Sequence, residues 1–116
     1  MATDGDGDVT YAGVKGTKKH GGYVYFWTLL DRVKPFYGDM SSKTYLQVDC
    51  KLSRFKNLSY VHHKQPMGKG SPSTVDNPEN PPWQFAPPNT VIESVLSTLC
   101  SYAKVMHLVP KHLIPN

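Results

Sequence analysis

The sequence predicts an α+β domain: a single antiparallel β-sheet of about four to six strands, with one C-terminal helix packed on one of its faces. Three observations carry this expectation. Tyr23–Val33 is dense in aromatic and β-branched residues, the composition of a strand. In Lys43–Leu52 the residues Leu46, Val48, Cys50 and Leu52 alternate with Tyr45, Gln47, Asp49 and Lys51, so one face is apolar and the other polar, as a half-buried strand requires. In Thr90–Ala103 the residues Ile92, Val95, Leu96, Leu99 and Ala103 recur at helical spacing and form a stripe suited to docking on a sheet.

A chain of 116 residues is long enough for one domain with its own core. Ten prolines and seven tyrosines favour a sheet with long loops over a helical bundle. The domain is expected to span residues 9–104, between a flexible segment, 1–8, and a tail, 105–116.

The first eight residues end in Asp4-Gly5-Asp6-Gly7-Asp8 and hold no apolar content to dock. They do not form a calcium loop, because Val9 and Lys15 stand where an EF-hand counted from Asp4 needs glycine and glutamate. Val9–Val14 reads as a short strand and Gly16–Gly22, with Lys18, Lys19 and His20, as a basic turn. Tyr23–Val33 has two apolar faces, Val24, Phe26, Thr28 and Leu30 on one and Tyr23, Tyr25, Trp27 and Leu29 on the other, so it is expected to be central or covered on both sides. Lys34-Pro35 ends it, and a loop from Phe36 to Ser42 leads into the Cys50 strand. Lys51–Arg54 then turns the chain into Phe55–His63, closing an antiparallel hairpin.

From Gln65 to Pro82 the composition shifts to proline, glycine, serine and asparagine; a loop this long in a compact domain is a place to look for binding. Trp83-Gln84-Phe85 returns briefly to the sheet. Asn89 or Thr90 caps the helix, with Glu93 three residues beyond Thr90 at capping-box spacing. Val105–Asn116 carries two prolines and weak periodicity, and reads as an extended segment.

Cys100 lies four residues after Leu96 on the helical stripe, and Cys50 lies on the apolar face of its strand. A helix docked on the sheet would bring the sulfurs together, and closing a loop of about 50 residues would contribute roughly 4 kcal/mol; the alternative is two buried thiols that never meet. A disulfide would place the domain in an oxidising compartment. Met1-Ala2-Thr3-Asp4 lacks the basic and apolar regions of a signal peptide, and no apolar run approaches the roughly 18 residues of a membrane span. The expected location is therefore the cell envelope (periplasm or outer surface) or the exterior, with the signal or anchor absent from this sequence.

No catalytic constellation emerges. A thiol nucleophile would need a histidine beside a cysteine with lowered pKa, and inward-facing cysteines that can pair are structural far more often than catalytic. Neither cysteine has the close partner a zinc site requires, and His62 and His63, adjacent on a strand, point to opposite faces and cannot share a metal; one is expected half-buried and the other solvated. Gly68-Lys69-Gly70-Ser71 fails as a phosphate loop at the positions of His63 and Gly70. Asn57-Leu58-Ser59 is a glycosylation sequon of little weight. No metal, small-molecule cofactor or enzymatic activity is expected.

The residues that remain carry a family resemblance. Gly21–Asp31, Lys34-Pro35, Ser41-Ser42-Lys43, Asp49-Cys50-Lys51, Met67-Gly68-Lys69-Gly70, Trp83, Pro87-Pro88-Asn89-Thr90 and Cys100 together resemble the surface-adhesin protein E-like domain of bacteria, over roughly residues 9 to 103. That resemblance implies an antiparallel sheet with a C-terminal helix tethered by a disulfide, in agreement with the separate reading of Cys50 and Cys100. It also implies an envelope protein that dimerises and binds extracellular-matrix or serum proteins.

Three functional classes follow. The favoured one is a non-catalytic envelope or secreted module that binds a protein partner. A second is a structural envelope component that dimerises through its sheet. The third is a nucleic-acid binder using Lys18, Lys19, Arg54, Lys56 and Lys64, which a formal net charge of +4 supports only weakly. For partner binding the candidate residues are Tyr23, Tyr25 and Trp27, an aromatic row on one strand face, with Tyr45 and Gln47 beside it and Lys64 and Lys69 at the rim. The opposite expectation, that this row is the core and the Val24–Phe26 side faces out, stands against it.

Overall fold

The computed structural model describes residues 2–3 and 6–105. Seven strands form one antiparallel sheet among these residues: β1 (Ala2–Thr3), β2 (Val9–His20), β3 (Tyr23–Phe36), β4 (Asp39–Asp49), β5 (Arg54–His63), β6 (Thr74–Asp76) and β7 (Gln84–Phe85). They lie in the order β1-β2-β3-β4-β5-β6, with β7 also paired to β5, and helix α1 (Val91–Val105) follows. The sheet therefore exceeds the expected four to six strands; the unforeseen members are β1 and β6, too brief to show a period of two, whereas β7 is the brief return to the sheet expected at Trp83–Phe85. β1 and Asp8 fall in the segment read as flexible: Ala2 and Thr3 pair with Thr10 and Val9, and the Asp8 carboxylate accepts a 2.8 Å hydrogen bond from Val33 N–H. Of the expected tail, residues 106–116 lie outside the described residues.

Two boundaries differ from expectation for the same reason. The basic turn expected at Gly16–Gly22 is strand as far as His20, and the chain reverses in only two residues, Gly21 and Gly22, with φ of +59° and +83°. Positive φ at both positions suits a two-residue turn matched to strand twist. The loop expected at Phe36–Ser42 likewise reduces to Tyr37 and Gly38, with φ of +50° and +84°, and β4 begins at Asp39. β3 runs past its expected end because Pro35 lies where the β3–β4 register slips between Asp31 and Phe36, a stretch in which no ladder donor is required of it.

The core lies between one sheet face and α1. Phe26 and Val48 are fully buried, with Val24, Leu46 and Phe55 beside them, against Val95, Leu96, Leu99 and Ala103 of the helix. Thr90 Oγ1 accepts from Glu93 N–H and the Glu93 carboxylate accepts from Asn89 N–H, so the expected cap forms. Cys50 and Cys100 are joined in a disulfide across 50 residues, tethering the helix to the end of β4.

The alternation expected through Leu52 stops at Asp49. There the chain turns, the Asp49 carboxylate accepting from Lys51 and Leu52 N–H and from Arg54 Nε at 3.0 Å. Asp49 is consequently buried and Leu52, expected inward, is 55 % exposed.

Candidate functional site

Because β3 alternates, packing Val24 and Phe26 against α1 sends Tyr23, Tyr25 and Trp27 to the opposite face, which is helix-free among the described residues. Cross-strand pairing sets Tyr45 opposite Trp27 and Gln47 opposite Tyr25. The rings form a chain of contacts: Trp27 to Tyr45 at 4.9 Å and Tyr45 to Tyr25 at 6.3 Å between centroids. Tyr23 meets Trp83 at 5.4 Å. Trp27 is 37 % exposed, and Tyr23, Tyr25, Tyr45 and Gln47 are half-buried against one another. The aromatic row is thus not the helix-packed core.

Trp83 continues the row over β5, where the Arg54 guanidinium lies 4.4 Å and the Lys56 ammonium 4.7 Å from its ring centroid. Arg54 is the residue bound to Asp49. Burial alone would push the Asp49 carboxyl up, but its hydrogen bond from Arg54 and those from Leu52 and Lys51 N–H outweigh this and hold it below its ordinary 3.8. The cationic cap on Trp83 was invisible in sequence, since Trp83 lies some thirty residues from Arg54 and β7 is only two residues long.

The other end of the face is covered by part of the long loop. Its single 3₁₀ turn, Pro66–Gly68, is pinned by Met67 N–H to the Asp31 carboxylate at 2.8 Å and by Gly68 N–H to Ser41 Oγ at 2.8 Å. Ser41 Oγ in turn donates to Gln65 carbonyl at 2.6 Å, and Ser73 N–H donates to His62 carbonyl. The Met67-Gly68-Lys69-Gly70 motif thereby gains a structural meaning: Gly68 has φ of +67°, and a Cβ there would lie 2.5 Å from Lys43 Cε. Lys64 and Lys69, the rim candidates, are both exposed beside this loop.

His62 and His63 differ from the expectation that one would be solvated. His62 is half-buried, and His63, 3 % exposed, lies beneath the loop with no hydrogen-bond partner on either ring nitrogen. Position gave no sign of this, because the loop that buries it is joined by contacts distant in sequence. Among the described residues no three of His, Cys, Asp and Glu gather as metal ligands, and no helix is long and apolar enough to cross a membrane. Both cysteines are consumed in the disulfide.

The sequence matches the family model described as surface-adhesin protein E over residues 1–101. In fold the chain is similar to crystal form II of Haemophilus influenzae protein E, with a TM-score of 0.66 at 13 % identity over 79 % of this chain and 80 % of that one. It is also similar to protein E from non-typeable Haemophilus influenzae, with a TM-score of 0.63 at 14 % identity over 82 % of this chain and 71 % of that one. No curated protein matches it in sequence.

Proposed function

We propose that this chain, which belongs to the surface-adhesin protein E family, is a non-catalytic envelope or secreted module that binds a protein partner through its helix-free sheet face. The observation that carries the reading is the connected row of Tyr25, Tyr45 and Trp27 on the face opposite α1, which no helix covers among the described residues. Such rings supply rigid apolar contact area at low entropic cost and dominate the energy of many protein interfaces. Lys64 and Lys69 at the rim, with Arg54 and Lys56 around Trp83, would steer an acidic partner toward the face. The family supports an adhesin-like role, with extracellular-matrix or other envelope proteins as the partner class and the envelope or cell exterior as the location.

Tyr25→Glu tests this. It places a carboxylate on the face without touching the helix or the disulfide, so the folded chain should keep its circular dichroism and lose saturable binding to immobilised matrix proteins. Sedimentation of the same pair separates the second reading: a wild-type dimer that becomes monomer in the variant makes the partner a second copy. Unchanged mass together with unchanged binding would overturn both. Salt-sensitive binding of an oligonucleotide, lost on replacing Lys18, Lys19 and Lys56, would favour the nucleic-acid reading instead.

A further inference from the structure

We propose that the groove flanking Trp27 on the helix-free face, beside the Met67–Pro72 loop, binds an apolar chain ending in a carboxylate. Two hollows meet there, sharing Trp27 and Lys43. One, about 280 Å³, is lined by Tyr11, Gly13, Leu29 and Met67. The other, about 590 Å³, is lined by Val61, His63, Gly68, Gly70 and Pro72. Their volumes suit a small ligand more than a folded partner, and their walls are mainly hydrocarbon and aromatic. Gly13 lines the first hollow and sits tight against β3, since a Cβ there would lie 3.1 Å from the Trp27 carbonyl.

Charge defines the end of the ligand. Lys43 is the one cation common to both hollows, and it forms no ion pair among the described residues. Its stem packs over Gly68, where a Cβ would lie 2.5 Å from Cε and 3.3 Å from Nζ, so the absence of a side chain at Gly68 leaves the ammonium group room at the junction of the two hollows. His63 lines the larger hollow, almost wholly buried, with both ring nitrogens unpartnered. Buried polar atoms are nearly always paired, and since neither ring nitrogen reaches solvent as the Met67–Pro72 loop stands, a small shift of that loop would let a carboxylate held at Lys43 accept from the imidazole N–H. A cation there would face Lys43, and a wholly polar ligand would leave the walls unused. This site shares Trp27 with the protein-binding face but takes a different occupant, a small ligand at the loop-covered end, so its probes are read with no protein partner present.

Decanoate, decanol and decylamine, titrated into the full oxidised chain carrying Trp83→Phe so that Trp27 alone reports, test the site by fluorescence. Decanoate should bind saturably below its micellar concentration, roughly tenfold or more tighter than decanol or decylamine. Lys43→Met, which keeps the stem, should lower decanoate affinity to that of decanol and leave decanol unchanged; His63→Phe should weaken decanoate several-fold. Absence of saturable decanoate binding, equal affinity for the three probes, or full selectivity in Lys43→Met would overturn the proposal. The three-probe comparison on the chain with native Lys43 and His63 stands even if a variant fails to fold.

Discussion

Two residues show how single positions hold the site. Asp49 satisfies the N–H groups of Lys51 and Leu52 and holds Arg54 at 3.0 Å, which places Arg54 over Trp83. Its carboxyl ionises below its ordinary 3.8 in the folded chain, so the stability it contributes is present above that value and lost as pH falls through the lowered one. The urea midpoint of the wild type should therefore decline below about pH 4, and Asp49→Asn should flatten that part of the decline. At Gly68 the backbone itself is the constraint. With φ of +67° and Lys43 against the missing Cβ, Gly68→Ala should destabilise the fold by about 1 kcal/mol, read as a lower denaturation midpoint, and displace Lys43.

At the scale of elements, the helix is retained on the sheet by its apolar stripe, its cap and one covalent tether. Reducing Cys50–Cys100 releases a closed loop of 50 residues in the unfolded chain, and should lower stability by about 4 kcal/mol in the chain-entropy picture. Intact mass with and without reduction and alkylation would establish the bond, and chemical denaturation of the two forms would measure its contribution. The cap is smaller and separable: Thr90→Ala removes the acceptor for Glu93 N–H and should cost about 1 kcal/mol, with no change in the disulfide. Strand β5 is held differently along its outer edge, where β6 pairs Tyr60–His62 and β7 pairs Arg54 and Phe55, and these short strands are how the loop and Trp83 reach the site.

Across the whole molecule the sheet divides two tasks between its faces. One face and α1 make the core; the other carries the aromatic row and the Trp27 groove. Neighbours on β3 should therefore respond oppositely. Phe26→Ala, at a fully buried position, should cost about 3–5 kcal/mol and show as a large drop in melting temperature. Trp27→Ala, at a position 37 % exposed, should leave the fold largely stable while abolishing ligand binding on the open face. Away from both faces the β3–β4 hairpin extends Phe36 and Tyr37 into solvent, packed edge-to-face at 4.6 Å with Arg32 over the Phe36 ring.

Local periodicity determined the frame. The alternation of Leu46 and Val48 with Tyr45 and Gln47, and the helical recurrence of Val95, Leu96 and Leu99, each express a face that must meet a core, so the sheet, the helix, its cap and the inward cysteines were legible from composition and spacing alone. The aromatic row could be recognised, but not its exposure, because β3 is apolar on both sides and only the docked helix chooses between them. Tertiary structure alone decided the covering of the face. Asp31 and Ser41 bind the backbone of Met67 and Gly68 from 36 and 27 residues away, and that contact brings the loop over His63 and Gly68 against Lys43. No period in a linear chain records such a meeting, since its energy belongs to a pair of segments and to neither one alone.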